Sequence, residues 1–153
     1  MKPILAVCHT PSGNTQALAE ALLRGMQAGT ERHDALVQLA PRDVEASHVL
    51  EAGGLIIGTT ENFGSMAGLT KDFLERIYYP CLENTQGLPV GIYIRAGQDG
   101  RGTARQLETV ITGLRWRMVQ PMLTLRGPFD AEFIDRVETL GCTLSAGLEA
   151  GIF

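Results

Sequence analysis

The feature that most constrains the fold of this chain is a repeated alternation between two hydrophobic patterns. A short, continuously apolar run is followed by a turn and then by a segment whose apolar residues recur at helical spacing. This unit of roughly 30 residues occurs five times. Continuous apolar runs are typical of strands that are buried on both faces. Because these runs alternate with helices, the sequence predicts an α/β fold in which a parallel sheet lies between two layers of helices.

The last apolar run indicates the order of the strands. The predicted strands cover residues 4–8, 35–39, 55–58, 90–94 and 119–125, and the predicted helices cover residues 16–26, 43–51, 69–77, 107–114 and 133–148. Asp130 is the expected N-cap of the final helix. Pro121 cannot donate a ladder hydrogen bond, so we expect the fifth strand at an edge of the sheet. An edge position fits the order 2-1-3-4-5 of a doubly wound, five-stranded parallel sheet.

Length and composition favour one ordinary domain, which we place over residues 1–153. Hydrophobic residues make up 44% of the chain and charged residues 20%, as in an average globular protein. No apolar run is long enough for a transmembrane helix, and the N-terminus has no signal-peptide pattern. The cysteines, Cys8, Cys81 and Cys142, are odd in number and far apart, which indicates reduced thiols. We therefore expect a cytoplasmic protein that does not associate with membranes.

Charge is unevenly distributed along the chain. The net charge is −4, which disfavours a general nucleic-acid binder, yet residues 95–126 hold six arginines and only two acidic residues. Arg95, Arg101 and Arg105 lie near the end of the fourth predicted strand. Their guanidinium groups suit the phosphate group of a ligand or another anion. The alternative is that they are ordinary solvated surface residues.

Ligands of such sheets bind at the carboxyl ends of the strands, so the loops that follow the strands carry the functional argument. The loop after the first strand, residues 9–15, combines hydroxyl side chains and a glycine with the start of a helix. Free amides, hydroxyl donors and the helix dipole together favour an anion. The loop has no lysine, so it is not a nucleoside-triphosphate loop and suits a single phosphate held by neutral donors. A plain helix cap made of turn residues is the alternative.

Two of the loops resemble a known family. The run Thr10-Pro11-Ser12-Gly13-Asn14-Thr15 resembles the [T/S]-x-[T/S]-G-x-[T/S] phosphate loop of flavodoxins. Residues 58–66, GTTENFGSM, resemble the G-T-P-T-x-F-G-N-M loop of flavodoxin-like NAD(P)H:quinone oxidoreductases and related FMN reductases. The resemblance implies a flavodoxin-like fold that binds FMN. Thr10, Ser12, Asn14 and Thr15 would then hold the FMN phosphate, and Gly13 would let the backbone approach it.

The resemblance also assigns the other two loops to the flavin ring. Residues 60–64 would lie along the isoalloxazine, with Phe63 packed against the ring; the alternative for Phe63 is a core position under the third helix. This second loop contributes Thr60, Glu61, Asn62, Phe63 and Gly64. Thr60 and Glu61 depart from the family, which has proline and threonine there. A carboxylate at position 61 would oppose negative charge on the reduced flavin, unless it points into solvent.

The third loop follows the fourth predicted strand and is rich in glycine. Its candidate flavin contacts are Ala96, Gly97, Gln98, Asp99 and Gly100, with Asp99 a partner for a ring N–H. One-electron flavodoxins usually place a tyrosine here to cover the ring, and this chain has none. Its absence indicates a more open flavin face. Considered alone, the loop is equally well explained as a glycine-rich turn.

The resemblance implies an FMN-dependent oxidoreductase that passes electrons from NAD(P)H to a quinone or a similar small acceptor. The flavin carries the hydride chemistry, so we assign no catalytic side chain, and no metal-ligand spacing is present. Homo-oligomerisation, the acceptor and the choice between NADH and NADPH stay open.

Three other classes of protein are alternatives to this one. A one-electron carrier that docks on protein partners is the main alternative, but the basic segment 95–126 argues against it because such carriers surround the flavin with acidic residues. A receiver module needs acidic residues where this chain has His9-Thr10 and Thr59-Thr60, so that class is set aside. A cofactor-free binding domain stays open.

Overall fold

The first apolar run forms an interior strand of the sheet, between the second and third predicted strands, in the computed structural model, which describes all residues from 1 to 153. The strands are β1 Ile4–Cys8, β2 Leu36–Leu39, β3 Gly54–Asn62, β4 Ser65–Met66, β5 Pro89–Ala96, β6 Arg117–Met118 and β7 Leu123–Arg126. The helices are α1 Gly13–Ala28, α2 Ala46–Glu51, α3 Gly68–Leu82, α4 Arg101–Leu114 and α5 Ala131–Glu149, with short 3₁₀ turns at His33–Ala35 and Pro41–Asp43. None of these helices combines the length and the apolar character that crossing a membrane requires.

The strand order confirms the predicted winding. The main sheet runs β2-β1-β3-β5-β6, with β7 also paired to β5, and all these pairs are parallel. Counting β6 and β7 as the fifth predicted strand gives the order 2-1-3-4-5. The fold is therefore an α/β sheet of parallel strands with helices on both faces, as predicted.

The fifth strand differs from its prediction. Residues 119–125 were expected to form one continuous strand, whereas the structure divides this edge into β6 and β7 and leaves Pro121 between them. The amide of Val119 still donates to the carbonyl oxygen of Val90 at 3.0 Å. Pro121 has no amide hydrogen, so the ladder cannot continue through it, and pairing with β5 resumes only at Leu123.

Alternate residues of β1 contribute to two separate cores. Leu5 and Val7 belong to the core under α3 and α4, while Ile4, Ala6 and Cys8 belong to the core under α1 and α5. This confirms that the apolar run is buried on both faces. Both cores combine apolar strand residues with residues of the helical apolar stripes that the sequence shows.

The helices deviate from their predicted stripes in two places. Leu69 was expected to pack with Phe73 and Ile77, but it is 44% exposed in the first turn of α3. The predicted helix at 43–51 is a 3₁₀ turn followed by α2, which begins only at Ala46. Asp130 is the N-cap of α5, as expected, because its carboxylate accepts a hydrogen bond from the amide of Glu132 at 2.9 Å.

Candidate functional site

The parallel pairing brings the three candidate loops to one edge of the sheet. Cys8 of β1 lies opposite Gly58 of β3, and Thr60 of β3 lies opposite Arg95 of β5. The loops that leave these strands therefore emerge side by side, since neighbouring parallel strands end at the same edge. The candidate flavin-site residues from the sequence lie in these loops, at the carboxyl ends of β3 and β5, or in the first turn of α1.

The first loop ends in a capping box at the start of α1. The hydroxyl oxygen of Ser12 accepts a hydrogen bond from the amide of Thr15 at 3.2 Å, and the amide of Ser12 donates to the hydroxyl oxygen of Thr15 at 2.9 Å. The hydroxyl group of Thr15 donates in turn to the carbonyl oxygen of Ser12 at 2.9 Å. Thr15 is buried, so its side chain orders the loop, while Ser12 remains exposed.

The start of α1 also presents free donors. The amides of Gly13 and Asn14 donate no hydrogen bond within the protein, and the first turn contains no acidic residue. Asn14 is exposed and Thr10 is half-buried. Burial lowers the pKa of the neighbouring His9, so its imidazole is neutral near pH 7. This end of the helix can accept an anion through neutral groups.

Behind the first loop, Cys8 at the end of β1 packs with Gly58 of β3 and Tyr93 of β5. A methyl group added to Gly58 would lie 2.1 Å from the ring of Tyr93, so only glycine fits beneath that ring. Burial raises the pKa of the neighbouring Cys8 thiol to about 11. Cys8 is therefore a packing residue and not a reactive thiolate.

The second loop is a β-hairpin with an exposed aromatic tip. Asn62 of β3 pairs with Ser65 of β4, which leaves Phe63 and Gly64 as a two-residue turn. Both have positive φ angles, 54° and 74°, as the tight hairpin turn of this twist requires. Phe63 is fully exposed. The alternative of a core position for Phe63 is therefore wrong, and a non-glycine residue occupies a strained conformation to present its ring to solvent.

The helix α4 holds the hairpin in place through one side chain and one close backbone contact. The side-chain oxygen of Gln106 accepts from the amide of Met66 at 3.0 Å, and its amide group donates to the hydroxyl oxygen of Ser65 at 3.2 Å. A methyl group on Gly102 would lie 2.1 Å from the carbonyl oxygen of Gly64, so the hairpin turn rests directly on α4. Gln106 and Gly102 were not predicted as site residues, because no local pattern links them to a loop about forty residues earlier.

A buried hydroxyl pair anchors the base of the same hairpin. The side chains of Thr59 and Thr70 are joined by a hydrogen bond of 2.9 Å, and both residues are buried. The amide of Ala67 donates to the carbonyl oxygen of Thr60 at 3.1 Å and to the hydroxyl oxygen of Thr59 at 3.3 Å. The side chain of Thr60 also donates to that of Asn62. The hairpin is thus fixed at both its base and its tip.

The third loop is open at its first residues and tied down at Asp99. Gly97 has open space around it, and Gln98 is exposed. The carboxylate of Asp99 accepts from the amide of Arg101 at 2.9 Å, and its carbonyl oxygen accepts from the guanidinium of Arg126 at 2.9 Å. Ala96 and Gly100 are buried, and Gly100 has the left-handed φ angle of 70° that begins α4.

The arginines near this loop divide into two kinds. The guanidinium of Arg95 lies over the rings of Phe129 and Phe133, at 5.8 and 5.2 Å, and donates to backbone carbonyl oxygens. The ring contacts and the two hydrogen bonds of Nη1 hold the Arg95 side chain against the protein, which makes it a weaker candidate for a phosphate ligand than an exposed arginine. Arg101 and Arg105 are exposed, and neither has a carboxylate within 4.0 Å.

The three loops form an open edge. The principal cavities of the surface are lined by other parts of the chain, apart from Met66 at the base of the hairpin. No group of three histidine, cysteine or acidic side chains is arranged to hold a metal ion. All three cysteines are free thiols.

Solved structures share this architecture. The chain is similar to a flavodoxin from the domain Archaea at 20% identity and a TM-score of 0.79, with 97% of this chain and 99% of that chain covered. It is similar to a WrbA-like flavodoxin protein from Agrobacterium tumefaciens at 15% identity and a TM-score of 0.78, covering 98% and 99%. A flavodiiron protein from Giardia intestinalis matches at 17% identity and a TM-score of 0.80, where the chain spans 98% of its own length but 37% of the longer protein.

Comparison of the amino-acid sequence with known families and curated proteins finds no match. At these identities the similar structures show the fold alone, and that fold is flavodoxin-like.

Proposed function

We propose that the chain binds FMN at the open edge and acts as an oxidoreductase that passes electrons from NAD(P)H to a quinone or a similar small acceptor. One observation carries the proposal: a helix start with free amides lies on the same edge as a hairpin that holds an aromatic ring in solvent at strained backbone angles. A phosphate and a flat ring, joined in one ligand, match these two features.

The start of α1 fits the phosphate of FMN. The free amides of Gly13 and Asn14 and the hydroxyl groups of Thr10 and Ser12 would donate to it, and the helix dipole would favour its charge. Thr15 would act differently from its assignment by resemblance. Its hydroxyl proton is already donated to the carbonyl oxygen of Ser12, so Thr15 would position Ser12 and leave the phosphate to its neighbours.

The hairpin and the third loop would hold the ring. Phe63 offers an exposed aromatic face, and the backbone around Gly64 is fixed by its contact with α4. Thr60, Glu61 and Asn62 would line the same side. Across the edge, the third loop would offer a flat, open approach through Ala96, Gly97, Gln98, Asp99 and Gly100. When bound, FMN supplies the hydride chemistry, and the protein supplies binding, orientation and electrostatics.

The proposal that NAD(P)H is the electron donor rests on the positive charge near the third loop. Arg101 and Arg105 are exposed, free of carboxylates and four residues apart on α4, so both guanidinium groups can face one ligand. A nicotinamide cofactor is anionic and matches this basic surface. A one-electron carrier would instead need an acidic surface to attract a basic protein partner. The one-electron carrier stays the second candidate, because the archaeal structure with the same fold is a flavodoxin. The free thiols suit the reducing conditions of the cytoplasm, where we place the protein.

Binding of FMN is tested by its affinity for a charged variant of the phosphate loop. Ser12→Asp keeps a good N-cap residue but places a carboxylate beside the phosphate, at a cost of about 1–4 kcal/mol, or roughly fivefold to several hundredfold in Kd. Ser47→Asp adds the same charge to the exposed face of α2 and should leave the Kd unchanged. Equal affinity of both variants for FMN would place the phosphate elsewhere.

The reaction is tested by anaerobic titration of the FMN-loaded protein with NADPH. Bleaching of the flavin absorbance faster than that of free FMN supports the oxidoreductase. Bound FMN that stays yellow supports the one-electron carrier. Arg101→Gln combined with Arg105→Gln should raise the KM for NADPH while the Kd for FMN stays the same, since these residues would meet the donor only.

A further inference from the structure

A groove with a volume of about 440 Å³ lies between α3 and α4, beside the hairpin. Leu74 and Tyr78 line it from α3, Val110 lines it from α4, and Met66 closes it at the hairpin end. Pockets for small molecules are typically 300–1,000 Å³ and mostly apolar, so this groove has the size and character of a ligand site. It is separate from the phosphate loop and from the third loop.

The groove selects for an uncharged ligand. The charged residues on its rim are Lys71 and Glu75, whose side chains pair with each other at 3.2 Å. With this pair intact, the rim offers no excess of either charge. A ligand with a net charge would lose its hydration without gaining a partner, which disfavours ionic molecules.

Two tyrosines give the groove an aromatic wall with free donors. The rings of Tyr78 and Tyr79 meet edge to face at 5.4 Å, and Tyr79 is 80% exposed. Their hydroxyl groups form no hydrogen bond within the protein, so each can donate to an acceptor oxygen of a ligand. The hydroxyl of Tyr78 lies over Gly113, where an added methyl group would approach to 2.3 Å. A flat ring with a carbonyl oxygen satisfies both the apolar wall and these donors.

The groove also borders Gln106, the side chain that holds the hairpin to α4. Gln106 lines it and, on its other side, holds the backbone of Met66 and the side chain of Ser65. A molecule in the groove would therefore pack against the residues that fix the hairpin. Such a contact would favour the conformation in which Gln106 is hydrogen-bonded to the hairpin over a conformation in which the hairpin has moved away from α4.

We propose that the groove between α3 and α4 binds an uncharged aromatic molecule of one or two rings that carries a carbonyl oxygen, and that its binding stabilises the hairpin. The binding does not require FMN, so it is tested on the flavin-free protein. Coumarin, a neutral two-ring molecule with a carbonyl oxygen, serves as the probe in titrations followed by amide NMR.

The expected result is a coumarin Kd in the micromolar to millimolar range with shifts confined to α3, α4 and the hairpin. Val110→Trp fills the groove and should weaken binding at least tenfold, while Thr112→Trp, on the exposed face of α4, should change it less than twofold. Tyr78→Phe keeps the ring but removes a donor and should weaken binding threefold or more. Coumarin-3-carboxylate should bind at least fivefold more weakly than coumarin.

Hairpin stabilisation has its own measurement. Hydrogen exchange of the Met66 amide should slow at least threefold at saturating coumarin. If coumarin does not bind, or if Val110→Trp binds it as well as the unmodified protein does, the groove is not the site. If coumarin-3-carboxylate binds more tightly than coumarin, the ligand class is wrong. If exchange of the Met66 amide is unchanged at saturating coumarin, the effect on the hairpin is refuted. If FMN fails to bind but coumarin binds in the groove, the flavin proposal falls and the groove proposal stands.

Discussion

Replacing Gln106 by methionine should release the hairpin while leaving the rest of the fold intact. Methionine has nearly the shape of glutamine but neither of its hydrogen-bonding groups. The variant removes the acceptor of the Met66 amide and the donor to the Ser65 hydroxyl. In a two-residue hairpin, the second residue pair from the turn leaves its amides facing outward, so Met66 has no strand partner for its N–H group.

The magnitude follows from the burial of the two partners. Met66 is only 6% exposed, and a buried donor left without an acceptor costs about 1–3 kcal/mol. Loss of the half-buried bond to Ser65 adds about 0.5–1 kcal/mol. The free energy of hairpin opening should therefore fall by about 1.5–4 kcal/mol, which is roughly 10- to 700-fold in the opening equilibrium because about 1.4 kcal/mol corresponds to a factor of ten.

Hydrogen exchange of the Met66 amide measures this opening directly. We expect exchange of this amide in Gln106→Met to accelerate by that factor. Gln27→Met is the matched control, because Gln27 is exposed on α1 and its side chain makes no hydrogen bond. If exchange of the Met66 amide accelerates less than threefold in Gln106→Met, or accelerates equally in Gln27→Met, Gln106 does not hold the hairpin closed.

Three further outcomes follow from packing and burial. Gly58→Ala should destabilise the fold by at least about 1–3 kcal/mol in urea unfolding, because the added methyl group would meet the rigid ring of Tyr93. By NMR, the pKa of His9 should lie below 6.5 in the free protein and rise when FMN binds, because a nearby phosphate favours the imidazolium; an unchanged pKa would count against the phosphate site. Since the unfolded chain binds this proton more readily, the contribution of His9 to stability is present above about pH 6.5 and is lost as the pH falls through its folded pKa. In the native protein at pH 8, a thiol reagent should modify Cys142 and spare Cys8, whose pKa is about 11; rapid labelling of Cys8 would contradict its burial.

The placement of the three loops was predictable because it depends on strand order. Once the alternating pattern specifies a doubly wound parallel sheet, the loops after β1, β3 and β5 must meet at one edge. The sequence therefore predicted which segments form the candidate site. The assignment of individual residues in those loops to FMN stays a prediction.

The use of each side chain within the site was less predictable. Arg95 and Arg101 have the same chemistry and lie six residues apart, yet one packs on two phenylalanines and the other is free in solvent. Phe129 and Phe133 come from the far end of the chain, so no local pattern shows that they cover Arg95. Thr15 similarly carries the pattern of a phosphate ligand, but its hydroxyl closes the capping box.

By itself, the sequence determined the period of each segment, the edge position of the fifth predicted strand and the helix start with free amides after the first loop. These properties depend on neighbouring residues, through hydrophobic spacing, the missing amide of proline and the free amides of a helix start. Only the tertiary structure decided that Gln106 holds the hairpin, that Gly102 lies against Gly64 and that Phe63 faces solvent. Each of these depends on which surfaces the folded helices bring together, and contacts between residues distant in the chain leave no periodic trace in the sequence.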